Sequence, residues 1–252
     1  DNNNDDNNYN NDNNNNSTDS ESDNEDVDVV EGEIEDINDD YCGPDKHRKD
    51  KKWIDMSENY KTHLKTFGYE LIYYELSKKG QITQWMLVQS LKKENTFYLV
   101  FKGTSNAIDC IVDVGMMPLF EKSMNCTVYA SMYAALQSQF HKIEQSLHKH
   151  INQNNTNNII ICGHSLGGGY ALLTLGHIFS SHFYKKNKNI LNIKCITFGS
   201  ILPYGKDIKK SSLYPLIHRN TINFIYEMDY IPRILNCMQN NQRSLIFKQI
   251  IF

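Results

Sequence analysis

Apolar residues recur along this chain in two rhythms, and the switch between them outlines the fold. From residue 70 the pattern is strand-like, in three short runs, Glu70 to Leu76, Gln84 to Leu91 and Phe97 to Phe101. Ser77-Lys78-Lys79-Gly80 and Lys92-Lys93-Glu94-Asn95 separate these runs, which predicts antiparallel hairpins leading into a sheet. The rhythm then becomes helical. Val128, Met132, Leu136, Phe140, Ile143 and Leu147 follow at spacings of three or four, predicting an amphipathic helix over 128–150 with one face on the sheet. Beyond it lie compact apolar runs, Ile159 to Cys162, Asn192 to Phe198 and Thr221 to Tyr226, which read as buried strands of a parallel sheet. Between the first two sits an Ala- and Leu-rich stretch ending near Phe179, too apolar all round to be anything but a core helix. A weaker helical pattern covers 53–65 and stops at Gly68, a loop through Pro203 and Pro215 joins the last two runs, and 244–252 closes as an apolar strand. The expected architecture is α/β, a mostly parallel sheet with helices on both faces.

Composition changes this picture at the amino-terminal end. Residues 1–45 are Asn, Asp and Glu with almost no aliphatic or aromatic content, too little to offset the entropy of ordering, and are expected to be disordered. Residues 53–252 are expected to form one domain. Asn-rich patches at 152–158 and 187–192 read as surface loops. The formal charge of −4 hides an asymmetry. Residues 1–40 hold 16 acidic side chains and no Lys or Arg, leaving 26 basic against 14 acidic residues elsewhere. That basic surface suits solvent or anionic lipid headgroups, and no nucleic-acid motif accompanies it. The six cysteines show no C-x-x-C pair and no zinc-like spacing; Cys162 and Cys195 fall in buried strands and read as small core residues. No apolar run reaches the 18 or so residues that a spanning helix needs, so a soluble or peripheral protein is expected. The chain starts at Asp1, so a signal peptide, compartment and oligomeric state are not readable.

The candidate chemistry sits between the first parallel strand and the core helix, at Gly163-His164-Ser165-Leu166-Gly167. A serine in a tight strand-to-helix turn is held strained, and flanking glycines remove Cβ atoms that would collide with strand and helix. Ser165 is therefore a candidate nucleophile, at a helix N-terminus whose dipole and Leu166 backbone N–H favour developing negative charge. Thr104, at a strand end after Gly103, reads either as an ordinary turn residue or as an oxyanion donor. Residues 106–126, with Met116, Met117, Leu119 and Phe120, read equally as a lid over an apolar site or as a buried connection. Asp229 lies just past the Thr221–Tyr226 strand, on the sheet edge that carries Ser165, where it can orient a histidine or cap a turn. His141, His148 and His150 read as solvated. His164 and His177 read as packed, hydrogen-bonded residues, and no set of side chains has metal-ligand spacing.

Taken in order, Phe101-Lys102-Gly103-Thr104, Gly163-His164-Ser165-Leu166-Gly167-Gly168, Thr197-Phe198-Gly199-Ser200 and Asp229-Tyr230-Ile231-Pro232 resemble the class 3 lipases, the fungal-lipase-like branch of the α/β-hydrolases, over about residues 70–235. The resemblance implies a three-layer α/β-hydrolase fold, Ser165 as nucleophile, Asp229 as triad acid, and Thr104 with the Leu166 N–H as oxyanion hole. It implies lipid esters of the acylglycerol type as substrates, met at a membrane or droplet surface. Neither a metal nor an organic cofactor is implied, and a lid falls at about 106–126. Lys102 stands where the family usually has Arg, Cys110 where Trp is common, and Tyr129-Ala130 where His-Gly is frequent.

The larger departure concerns the base. The order in these hydrolases is Ser, Asp, His, yet the last histidine here, His218, precedes Asp229 in a loop placed at the opposite sheet end. The apolar strand at 244–252, with no polar cap, is expected to belong to a C-terminally incomplete domain whose histidine lies further on. The reading from another class is a non-catalytic lipid-binding or scaffold protein that keeps the fold without its base.

Overall fold

The computed structural model describes residues 58–75, 83–103, 117–226, 229 and 248–251, all within the second of two compact units, 46–252. The acidic segment 1–45, with the disorder expected of it, lies outside the described residues, as do Thr104 and most of the stretch proposed as a lid.

A helix, α1, covers residues 58–66 and stops at Gly68, whose φ of +83° ends it through a left-handed turn. Three antiparallel strands follow, β1 (Tyr69–Glu75), β2 (Trp85–Ser90) and β3 (Thr96–Phe101), paired in that order with a register shift between Leu71 and Tyr73. Tyr60 of α1 meets Tyr74 of β1, ring centroids 5.4 Å apart. A hairpin of β4 (Pro118–Glu121) and β5 (Cys126–Tyr129) leads into α2 (Ala130–His150). The parallel part of the chain is β6 (Asn157–His164), α3 (Leu166–Ser180), α4 (His182–Asn187), β7 (Leu191–Phe198), a 3-10 turn at Lys206–Lys210, α5 (Tyr214–Asn220), β8 (Thr221–Ile225) and β9 (Lys248–Ile251). The seven-stranded sheet runs β1-β2-β3-β6-β7-β8-β9, parallel from β3 onward. This is the mostly parallel sheet with helices that the periodicities predict.

Two boundaries differ from expectation. Val128 belongs to β5 rather than to the helix, because its strand pairs with β4 and bridges Tyr204, while the Tyr129 N–H donates to the Pro203 carbonyl at 3.2 Å. Local periodicity could not register those distant partners. The stretch expected as a loop through Pro203 and Pro215 contains two helical pieces, and Pro215 sits in the first turn of α5, where its missing N–H costs nothing.

The core lies on one face of the sheet. Met132, Leu136, Phe140, Ile143 and Leu147 of α2 are all buried, as the spacing demands, and α3 is buried nearly all round. Ile159 and Ile161 of β6 and Ile193 and Cys195 of β7 meet these helices, each aliphatic side chain contributing about 2 kcal/mol of burial. Alternate residues on the other face, including Ile160, Cys162, Ile196 and Phe224, are only half-buried. Cys195 is thus a fully buried core thiol, while Cys162 is half-buried with its thiol pushed up to about 11 by desolvation.

Candidate active site

The site is built on the junction of β6 and α3, in the middle of the sheet. Ser165 has φ 55° and ψ −123°, a conformation that non-glycine residues rarely adopt and that surrounding contacts must impose. Those contacts are backbone hydrogen bonds. The Ser165 N–H donates to the Phe198 carbonyl at 2.9 Å, and the Ser165 carbonyl accepts from Gly168 at 3.0 Å, Gly169 at 3.3 Å and Ile201 at 3.4 Å. The end of β7 therefore holds the serine on one side and the first turn of α3 holds it on the other.

Glycine makes the turn possible. A Cβ at Gly163 would stand 2.3 Å from the Gly167 carbonyl, and one at Gly167 would stand 2.5 Å from the Phe101 carbonyl oxygen. Strand β3, the turn and the start of α3 are thus stacked at backbone contact distance. The Ser165 Oγ is buried and finds no hydrogen-bond partner among the described residues. Immediately beyond it are the N–H groups of Leu166 and Gly167, the first of α3, which have no intrahelical acceptor and sit at the positive end of a 15-residue helix. A hydroxyl oxygen beside free N–H donors is an arrangement that suits attack on a carbonyl. The Leu166 side chain itself is buried in the core.

Asp229 lies just past β8, its N–H donating to the Tyr226 carbonyl at 2.9 Å. Its carboxylate rests on Gly199, where a Cβ would fall 2.4 Å from Oδ2 and 3.9 Å from His164 Nε2. Gly199 has a φ of +51° and donates its N–H to the Phe224 carbonyl at 2.7 Å, so both its conformation and its bare surface matter. A cavity of about 350 Å³ opens here, lined by His164, Phe198, Gly199, Phe224, Ile225, Tyr226 and Asp229. Ser165, on the turn after β6, and Asp229, just past β8, therefore occupy the carboxyl edge of the parallel strands, as the strand pattern predicts.

The histidines sort less simply. His164 is exposed on the wall of this cavity and is not the packed residue that the sequence suggests, because it is the last residue of β6 and shares the half-buried face of that strand with Ile160 and Cys162. His177 is packed, stacked on Phe140 at 3.4 Å between centroids, but its Nδ1 has no hydrogen-bond partner among the described residues. Desolvation lowers its pKa to about 4, against a weaker upward pull from Glu121, and Glu144 lies 3.8 Å from its Nε2. His218 is helical rather than in a loop; it lies in α5, just before β8 begins, and hence at the amino edge of the sheet.

The described end of the proposed lid divides in two. Met117, Leu119 and Phe120 are exposed, while Met124 in the hairpin turn and Cys126 at the start of β5 are fully buried. Sequence reasoning gave no role to Asn223, the inward-facing amide in the middle of β8, although a polar residue within Thr221–Tyr226 was a visible signal. Among the described residues no cluster of His, Cys, Asp or Glu is arranged to hold a metal ion, and no helix is long and apolar enough to cross a membrane.

Residues 98–239 match the family model described as Lipase (class 3), a span that includes Ser165, Asp229 and Thr104. Comparison with curated proteins gives no match. Among solved structures, the chain is similar to lipase II from Rhizopus niveus, with 20% identity and a TM-score of 0.56 over 67% of this chain and 61% of that one. It is similar as well to the lipase of Rhizopus microsporus var. chinensis (17%, TM-score 0.55, 66% and 56%) and to the Rhizomucor miehei triacylglyceride lipase (17%, TM-score 0.55, 66% and 61%). The chain thus spans about three fifths of the length of these lipases, and at such identities the likeness is one of fold. The α/β-hydrolase fold and the family match over more than half of the sequence agree: the chain belongs to the class 3 lipase family.

Proposed function

We propose that the protein hydrolyses lipid esters of the acylglycerol type through an acyl-enzyme on Ser165, at a membrane or droplet surface. The single observation that carries this reading is the strained, backbone-clamped serine whose buried Oγ has no competing partner among the described residues. In the proposed reaction Oγ attacks the ester carbonyl carbon while a base takes its proton. The carbonyl oxygen, now an anion, accepts from the Leu166 N–H and from Thr104. Collapse of that intermediate expels the alcohol, which takes up the proton, and water then cleaves the acyl-serine bond by the same route. Asp229 orients the base and stabilises its cationic form. The reading calls for no cofactor.

A specific observation favours a second reading, a non-catalytic lipid-binding protein of the same fold. Among the described residues, His218 sits at the far edge of the sheet, away from Ser165 and Asp229. One experiment separates the two. Turnover of a short-chain ester and labelling by a fluorophosphonate are measured for the protein and for Ser165→Ala, with binding to phospholipid vesicles alongside. The catalytic reading expects Ser165→Ala to abolish labelling and to lower turnover by roughly 10³-fold or more. Equal turnover in the alanine variant overturns it, and vesicle binding without turnover or labelling selects the second reading.

A further inference from the structure

The amide of Asn223 is buried in the centre of β8, opposite Thr197 of β7 and wholly inaccessible. Its Oδ1 accepts from the Thr197 hydroxyl at 2.9 Å and from the Ser200 N–H at 3.4 Å, but its Nδ2 has no partner among the described residues. A buried, unpaired donor of this kind costs about 1–3 kcal/mol. Polar groups kept at such expense mark positions where stability has been traded for something else.

What Asn223 holds is the turn after β7. Thr197 and Ser200 bracket Phe198 and Gly199. The Phe198 carbonyl receives the Ser165 N–H, and the Ile201 N–H reaches the Ser165 carbonyl. Ser200 is buried against Gly168 in the first turn of α3, where a Cβ would approach the Ser200 Cβ to 2.7 Å, and its hydroxyl donates to the Ile201 carbonyl at 2.9 Å. Gly199 carries the Asp229 carboxylate on its bare face. Residues 197–201 therefore touch both proposed catalytic side chains, the serine through its backbone and the acid through van der Waals contact. Among the described residues, Asn223 supplies the side-chain hydrogen bonds that tie this turn to β8, beside the stacked rings of Phe198 and Phe224.

We infer that Asn223 is a positioning residue, which fixes the 197–201 turn and through it the relative placement of Ser165 and Asp229. The inference rests on the reading of Ser165 as nucleophile for its consequence, but not for its geometry. Asn223→Leu keeps the volume and removes the acceptor; Thr197→Val removes one bond and is the milder variant should the first fail to fold. Two readouts are taken on the full chain. In amide hydrogen exchange, Asn223→Leu is expected to speed exchange at Ser165 and Ile201 by about tenfold, with Thr197→Val between it and the parent, while amides of β1 and β2 stay unchanged. Unchanged rates at Ser165 and Ile201 in both variants overturn the inference whether or not the chain is active. In ester turnover, a misplaced nucleophile is expected to lower kcat per folded molecule about tenfold with KM held within about twofold. If Ser165→Ala abolishes turnover but Asn223→Leu leaves kcat intact per folded molecule, the inference fails alone. If Ser165→Ala turns over like the parent, the reading of the serine fails, and the exchange result still decides the role of Asn223.

Discussion

The two proposed catalytic side chains are held in different ways. Ser165 is gripped by its own backbone, with both its N–H and its carbonyl hydrogen-bonded and with Gly163 and Gly167 letting strand, turn and helix close on it. Asp229 follows β8 with its N–H on the Tyr226 carbonyl, and its carboxylate lies over the bare face of Gly199 beside an open cavity. A residue clamped by main chain is insensitive to most neighbouring side-chain changes but intolerant of any added Cβ. The placement of Asp229 depends in addition on the bare face of Gly199.

That contrast can be broken at its strongest point first. Gly163→Ala places a methyl 2.3 Å from backbone atoms of Gly167, which cannot give way without moving the turn. A loss of about 3 kcal/mol or more is expected, read as a fall in folded fraction by circular dichroism and denaturant titration. A variant as stable as the parent would mean that the turn is looser than its contacts imply. Gly199→Ala is expected to act the other way round. Its positive φ costs about 1–2 kcal/mol, yet its methyl points at the Asp229 carboxylate, so activity per folded molecule should fall by a larger factor than stability. A proportionate loss of both would place the acid elsewhere.

The smallest effect concerns pH and the helix that starts at the serine. His177, near the end of α3, is held neutral by burial, with its pKa lowered from about 6.5 to about 4. The unfolded chain therefore takes up a proton that the folded one resists, so stability falls as pH drops from 6.5 and levels off below 4. After allowing for partial exposure, about 1 kcal/mol is expected at pH 5. His177→Gln should flatten that part of the stability profile, and parallel profiles for the two proteins would show that another group carries it.

Legibility in the sequence followed the range of the forces involved. Strands β6, β7 and β8, helix α3 and the face of α2 could be read because burial imposes its period residue by residue. Ser165 could be read because its turn demands glycine at fixed offsets. Val128 could not be placed in a strand, because the helical spacing it shares with Met132 and Leu136 continues past a strand set by its hairpin partner Leu119 and by Tyr204, far along the chain. The exposure of His164 and the helix around His218 were missed for a similar reason. Both depend on where covering elements stop, which no local pattern encodes. Asn223 is the clearest lesson, since a lone amide in an apolar strand is ordinary until its cross-strand neighbours are known.

The order of strands in the sheet also carries a kinetic consequence. The β1-β2-β3 meander closes through neighbouring hairpins, whereas β3 must find β6, and β6 and β7 must find β7 and β8, across whole intervening helices. Pairings so distant in sequence carry the largest loop-closure entropy and are slow to form. The turn after β7 secures the serine, β8 secures that turn, and the start of α3 packs on the end of β3, so the site also needs the β3–β6 pairing, the most distant in sequence of these events. No early, partly paired intermediate can present a competent serine. On the proposed reading of Ser165 as nucleophile, its labelling by a fluorophosphonate during refolding is expected to lag behind the return of secondary structure, making this one hydroxyl a clock for the whole assembly.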